Sequence, residues 1–356
     1  MDGILAYRIA AQGLAARDRT PAEVAGSFAL QDSPRGAALT AVAARSDGAG
    51  ELEAMLEARE LVAVPNPRTA VAILPAADVG TYLAALQPPD EQALKTVFLR
   101  AVPGDYEASR ERAVAAVGAA LDGRVLSRDA LHEELRGRLP AEMLPWCEPC
   151  QSHHARRGVL TVAALAGRLC YAGREGRQPA FARTDQWTRL SPAATEPARA
   201  ELARRYLHHL GPSTHGDLAA WAGVSIAHAK LLLKAVEDEL VDVGGKAYLL
   251  ADDLPLFEDP PPARGVRLLG AGDPLLAARD KERLIADKAL RAKVWRPIGS
   301  PGVVLSDGRP VGTWRMRKRG RRLELETEWF GAAADVGAEA ERLAALRGGG
   351  VYDAKP

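Results

Sequence analysis

The chain has 356 residues, more than one hydrophobic core usually organises, so about two to four domains are expected. Its 47% hydrophobic and 26% charged composition is ordinary for a globular protein, and no stretch reaches the roughly 20 uncharged apolar residues of a membrane span. A net charge of +1 argues against coating nucleic acid along the whole length, three cysteines argue against a secreted disulfide framework, and the start Met1-Asp2-Gly3-Ile4 lacks a basic apolar leader; the cytoplasm is the expected compartment.

In chain order, Ile4, Tyr7, Ala11 and Leu14 recur at helical spacing over Ile4 to Ala16. Thr20-Pro21 with Glu23 opens a second helix, Pro34 to Arg45 reads as a third and Glu51 to Glu60 as a fourth. Leu61 to Val64, a turn at Pro65-Asn66-Pro67-Arg68, and Ala70 to Leu74 then form a hairpin, so residues 1–104 read as a winged helix. The order recurs over residues 105–192, with helices at 106–121, after Ser127 and at 159–166, and strands around Cys170 and Phe181 flanking a turn at 173–177.

A third copy spans residues 193–260. Glu196 to Leu210 stops at Gly211-Pro212, Thr214 to Ala222 breaks at Gly223, and Ser225 caps a helix to Glu239; strands at 240–243 and 247–250 flank Gly244-Gly245. Two helices about a Gly-containing turn can place the second in a DNA groove or serve as a packing module, and Lys230 and Lys234 beside Glu237, Asp238 and Glu239 leave both open.

Pro260-Pro261-Pro262 marks a linker to residues 261–356, where short alternating runs indicate a small basic β-barrel or half-barrel. Between Arg264 and Arg322 stand sixteen basic and five acidic residues, a local surplus of +11 against −10 for the remainder. Positive charge is gathered where a polyanion can be held. The fold class is thus mainly α with β wings: tandem winged helices followed by a small β-barrel.

Arg315, Arg317, Lys318, Arg319, Arg321 and Arg322 fill six of eight positions without an acid, a phosphate-gripping hairpin or a solvated turn. Cys147, Cys150 and His153 have the spacing of zinc ligands, with Cys170 as a fourth, or the cysteines are simply buried thiols. Gln31, Asp32 and Ser33 lie between two apolar helices, with Arg35 following as a candidate DNA contact, and Asp32 or Ser33 suits the cap of the next helix.

Leu30-Gln31-Asp32-Ser33, Leu61-Val62 with its ribbon, Tyr206 to Ala222, and Val294-Trp295-Arg296-Pro297 with Asp307-Gly308-Arg309-Pro310-Val311-Gly312-Thr313-Trp314 together resemble the bacterial winged-helix family of AlkZ- and YcaQ-like DNA glycosylases. The resemblance covers nearly the whole chain. It implies three winged helices and a β-barrel in a C-shaped clamp on double-stranded DNA, and excision of alkylated bases by a Gln-x-Gln or Gln-x-Asp pair that polarises a water. Gln31 matches the first position; Ser33 stands at the second, with Asp32 adjacent, and a hydroxyl is far less basic than a carboxylate. DNA repair or resistance to a genotoxin is one function this implies; a non-catalytic transcription regulator or lesion binder is the other. A monomer without a required cofactor is expected, zinc being the one metal its residues suggest.

Overall fold

The computed structural model describes residues 2–68, 70–98, 102, 104–148, 151–319, 322–348 and 350–355. They form two compact units, one running up to Ala54 with Tyr206–Ser213 and Glu239 onward, the other comprising Met55–Arg205 and Thr214–Asp238.

In the first unit, Asp2 caps the helix Gly3–Ala11 by accepting from the amides of Ile4 and Leu5, and Leu5 and Ile9 enter a core with Leu14, Leu269, Leu275, Val303 and Leu305. Each such fully buried aliphatic side chain contributes about 1.5–3 kcal/mol relative to exposure. The helix ends at Ala11, short of the expected Ala16, with Gln12 as its C-cap and Gly13 turning left-handed at φ 70°. Thr20 and Glu23 form the expected capping box on the helix Pro21–Phe28.

The same unit holds a five-stranded sheet in the order Val266–Leu269, Gly302–Ser306, Arg309–Arg319, Arg322–Trp329, Gly350–Lys355. The first three pairings are antiparallel and the last is parallel, which requires a crossover; the helix Gly337–Leu346 lies on it. Among the described residues the two edge strands do not pair, so the expected barrel is an open sheet here. Gly302 permits its tightest contact, since a Cβ would lie 2.3 Å from the Trp314 indole nitrogen, which donates to the Leu269 carbonyl at 2.8 Å.

The second unit joins both expected ribbons in one antiparallel sheet, in the order Val71–Pro75, Leu61–Pro65, Cys170–Glu175, Gln178–Ala182, Leu126–Ser127. The helices Glu91–Val97, Tyr106–Ala120, Arg128–Arg136 and Arg157–Leu165 supply its core, with Leu94, Val117, Leu121, Leu131, Leu135, Val162 and Phe181 buried. Ser127 stands at the start of Arg128–Arg136 without a side-chain cap; the Gln178 side chain accepts from the Asp129 amide instead. Ser225 does cap Ile226–Lys234, accepting from the His228 amide. Among the described residues, no helix is long and apolar enough to cross a membrane.

Candidate functional site

The segment bearing Gln31 is built by a sequence of local restraints. The helix Pro21–Phe28 ends where Ala29 turns left-handed at φ 46°, and Leu30 is buried, which fixes the chain as it emerges at half-buried Gln31. The Gln31 amide nitrogen donates to the Ser33 carbonyl at 2.8 Å, leaving its Oε1 as the acceptor of the pair. Asp32 folds inward: its Oδ1 accepts from the Gly36 amide at 2.7 Å and the Ala38 amide at 3.2 Å. Ser33 and Arg35 are exposed.

The following helix therefore spans Ala37–Ala43 and does not start at Pro34 as expected. It starts after Gly36, whose φ of 84° turns the chain, and the Asp32 carboxylate stands at its positive end, bonded to the Ala38 amide. Neither Asp32 nor Ser33 is its N-cap residue, which is Gly36; the Asp32 carboxylate supplies the capping acceptor from outside the helix.

A second segment closes on this turn. A Cβ on Gly272 would meet the Ala37 Cβ at 3.2 Å and the Ser33 carbonyl at 3.4 Å, and one on Gly270 would meet Thr40 at 3.3 Å. Next in sequence, Asp273 pairs with Arg45 through both oxygens at 2.8 and 2.9 Å. The remaining Arg45 donors go to the Gln12 carbonyl (2.9 Å), the Gln12 side-chain oxygen (2.9 Å) and the Ala41 carbonyl (3.0 Å), so all five N–H groups are satisfied. Gln12 and Asp273 carried no motif in the sequence.

The basic hairpin differs from its sequence appearance. Arg315 and Arg317 share one face of the strand Arg309–Arg319, and directly opposite them stand Glu326 and Glu324, with Glu328 opposite Thr313. Arg317 bonds to Glu326 at 3.1 Å, and the Arg315 guanidinium donates to the Gly299 carbonyl. Arg321 and the side chains of Lys318, Arg319 and Arg322 lie outside the described residues.

For the zinc reading, Cys147 is half-buried in a short hairpin of Trp146–Cys147 with Ser152–His153; Cys150 lies outside the described residues. The His153 Nδ1 lies 2.8 Å from the Leu144 carbonyl. Cys170 is buried in the strand Cys170–Glu175, and burial pushes its thiol up to about 12. Among the described residues, no three His, Cys, Asp or Glu side chains group so as to hold a metal. Close to that hairpin, His132 is buried with both ring nitrogens unbonded among the described residues, its ring 4.7 Å from that of His154. Its place on a charged-looking helix gave no signal of this.

The model of the AlkZ-like DNA glycosylases matches residues 24–346, and the chain belongs to that family. The structure of Streptomyces sahachiroi DNA glycosylase AlkZ is similar in fold, with a TM-score of 0.76 and 22% identity, over 99% of this chain and 98% of that one. No curated protein sequence matches the chain.

Proposed function

We propose that this DNA glycosylase hydrolyses the N-glycosidic bond of N7-alkylated purines in double-stranded DNA, with Gln31 and Asp32 as the groups that hold the water. Membership of the family over residues 24–346 makes DNA glycosylase and DNA repair its class. The observation that carries the finer reading is the clasp at Gln31, whose amide N–H is committed to the Ser33 carbonyl while its Oε1 is left to accept.

The chemistry suits such a modest site. Alkylation at N7 makes the purine cationic, so it leaves readily and needs no metal or other cofactor to draw electrons. A water attacks the sugar C1′, the C1′–N bond breaks, and its electron pair neutralises the base. The water's proton passes to a nearby acceptor. Gln31 Oε1 orients that water, and the Asp32 carboxylate, whose Oδ2 takes no part in the helix cap, stabilises the developing positive charge and accepts the proton. Ser33, where the family pattern places the second polar group, assists by hydrogen bonding only.

We further read the helix pairs with their two-stranded ribbons as winged-helix modules that position duplex DNA, and the basic strand as a phosphate contact. The test is incubation with duplex DNA carrying N7-methylguanine. Release of the free base with an abasic site left behind is the expected result, and binding without release overturns the catalytic reading.

A further inference from the structure

We infer that Ile298 is a wedge that enters the base stack of the target duplex and holds it open during excision, an inference that rests on the glycosylase reading. Among the described residues the other large apolar side chains that stand in solvent, Val125, Trp146 and Ile226, are 48–57% exposed, whereas Ile298 is 91% exposed. Scattered exposed apolar residues are normal. What sets this one apart is its near-complete exposure on a loop that hydrogen bonds close on itself.

The loop between Trp295 and Pro301 is restrained at every step. The Trp295 indole donates to the Leu276 carbonyl at 3.1 Å, and the Lys281 ammonium sits 5.0 Å from its ring. Ser300 Oγ closes the loop on itself, accepting from the Arg296 amide at 3.1 Å and donating to the Arg296 carbonyl at 3.2 Å. Pro297 fixes φ before the isoleucine, Gly299 turns at φ 66° after it, and the Gly299 carbonyl accepts from Arg315. A side chain offered this way loses little conformational freedom when it is buried in a partner.

The surroundings select the partner. Arg296 and Lys293 flank the loop, Arg315 anchors it to the face that also carries Arg317, and Glu328 at 2.8 Å from Lys293 and 4.0 Å from Arg296 is their shared acid. An apolar tip between cations matches a base step between two phosphates. Architectural proteins insert Ile, Leu, Phe or Pro at such steps, and an enzyme acting on a base must take it out of the stack.

The test compares the full chain with Ile298→Ala and Ile298→Phe for binding to an intact duplex and to one with an abasic analogue, with a fluorescent purine analogue reporting unstacking beside it. The wild type is expected to favour the abasic duplex and raise the fluorescence. Ile298→Ala should weaken abasic binding about tenfold, the scale of burying one branched aliphatic side chain, change intact-duplex binding less than about twofold and abolish the fluorescence rise; Phe should restore both. Equal behaviour of Ile298→Ala and wild type, an equal loss for both duplexes, or a change only in self-association by light scattering overturns the wedge. Base release by the wild type is measured in parallel. If it persists while the wedge fails, the glycosylase reading stands alone; if the wild type neither releases base nor distinguishes the duplexes, both fall.

Discussion

Arg45 and Asp273, separated by 228 positions in sequence, form a two-pronged ion pair in which both side chains are fully buried. Breaking such a pair leaves an uncompensated charge and costs about 3–5 kcal/mol, whereas the intact pair contributes little net stability over an apolar substitute. Its effect is positional: it fixes Gly270 and Gly272 against the turn that presents Gln31. Asp273→Ala should lower unfolding free energy by about 3–5 kcal/mol, and Arg45→Lys, which cannot serve five acceptors, by a comparable amount. Urea titration showing less than about 1 kcal/mol for both would mean the pair is relaxed in solution.

Asp32 serves the cap and, in our reading, the chemistry, and two substitutions separate them. Asp32→Asn retains the accepting oxygen and should keep stability within about 0.5 kcal/mol, while Asp32→Ala should lose about 1 kcal/mol. Both should lose most base release. Full excision by Asp32→Asn would reduce the residue to a helix cap.

The basic strand should respond to its acids as well as its bases. Arg317→Glu with Arg319→Glu should weaken DNA binding for every sequence and flatten its salt dependence, whereas Glu326→Gln, which frees Arg317, should tighten it by about two- to fivefold at low salt. Salt titrations of the three proteins check this. Identical slopes would remove the hairpin from the DNA contact.

This surplus shows where the sequence stops being readable. The run from Arg315 to Arg322 holds no acid, yet Arg315 and Arg317 face Glu326 and Glu324 on the neighbouring strand, and pairing is not local information. Signals carried within a few residues survived: the Thr20–Glu23 box, the Ser225 cap, and the strands Leu240–Asp242 and Tyr248–Leu250 around Gly244 and Gly245. Gln31 and Asp32 were legible as a motif. Gln12, Arg45 and Asp273, which hold their frame, were not, because nothing at residue 45 announces a partner at 273.

His132 makes stability sensitive to acid. Burial, reinforced by the charge of neighbouring His154, pushes its ring down to about 4; Arg128 and Arg136 act in the same direction and Asp129 against them. The folded state thus binds fewer protons than the unfolded one, so this stability is complete above about pH 6.5 and is lost as pH falls toward about 4. Going from about pH 7 to about pH 5 should remove about 2 kcal/mol. His132→Leu should leave neutral-pH stability within about 1 kcal/mol and flatten the acid limb, since no hydrogen bond is lost among the described residues. An unchanged acid limb in that variant would place the sensitivity elsewhere.

Whether Gln31 holds the attacking water is tested by single-turnover release of N7-methylguanine from duplex DNA by the wild type and Gln31→Ala, at equal concentrations of folded protein. Gln31 is half-buried with one local hydrogen bond, so its loss should cost at most about 1 kcal/mol of stability. Release by the wild type and a fall of at least about a hundredfold in the variant are expected, because a positioned water is lost. Equal rates in the two proteins, or no release by either, would contradict that role of Gln31.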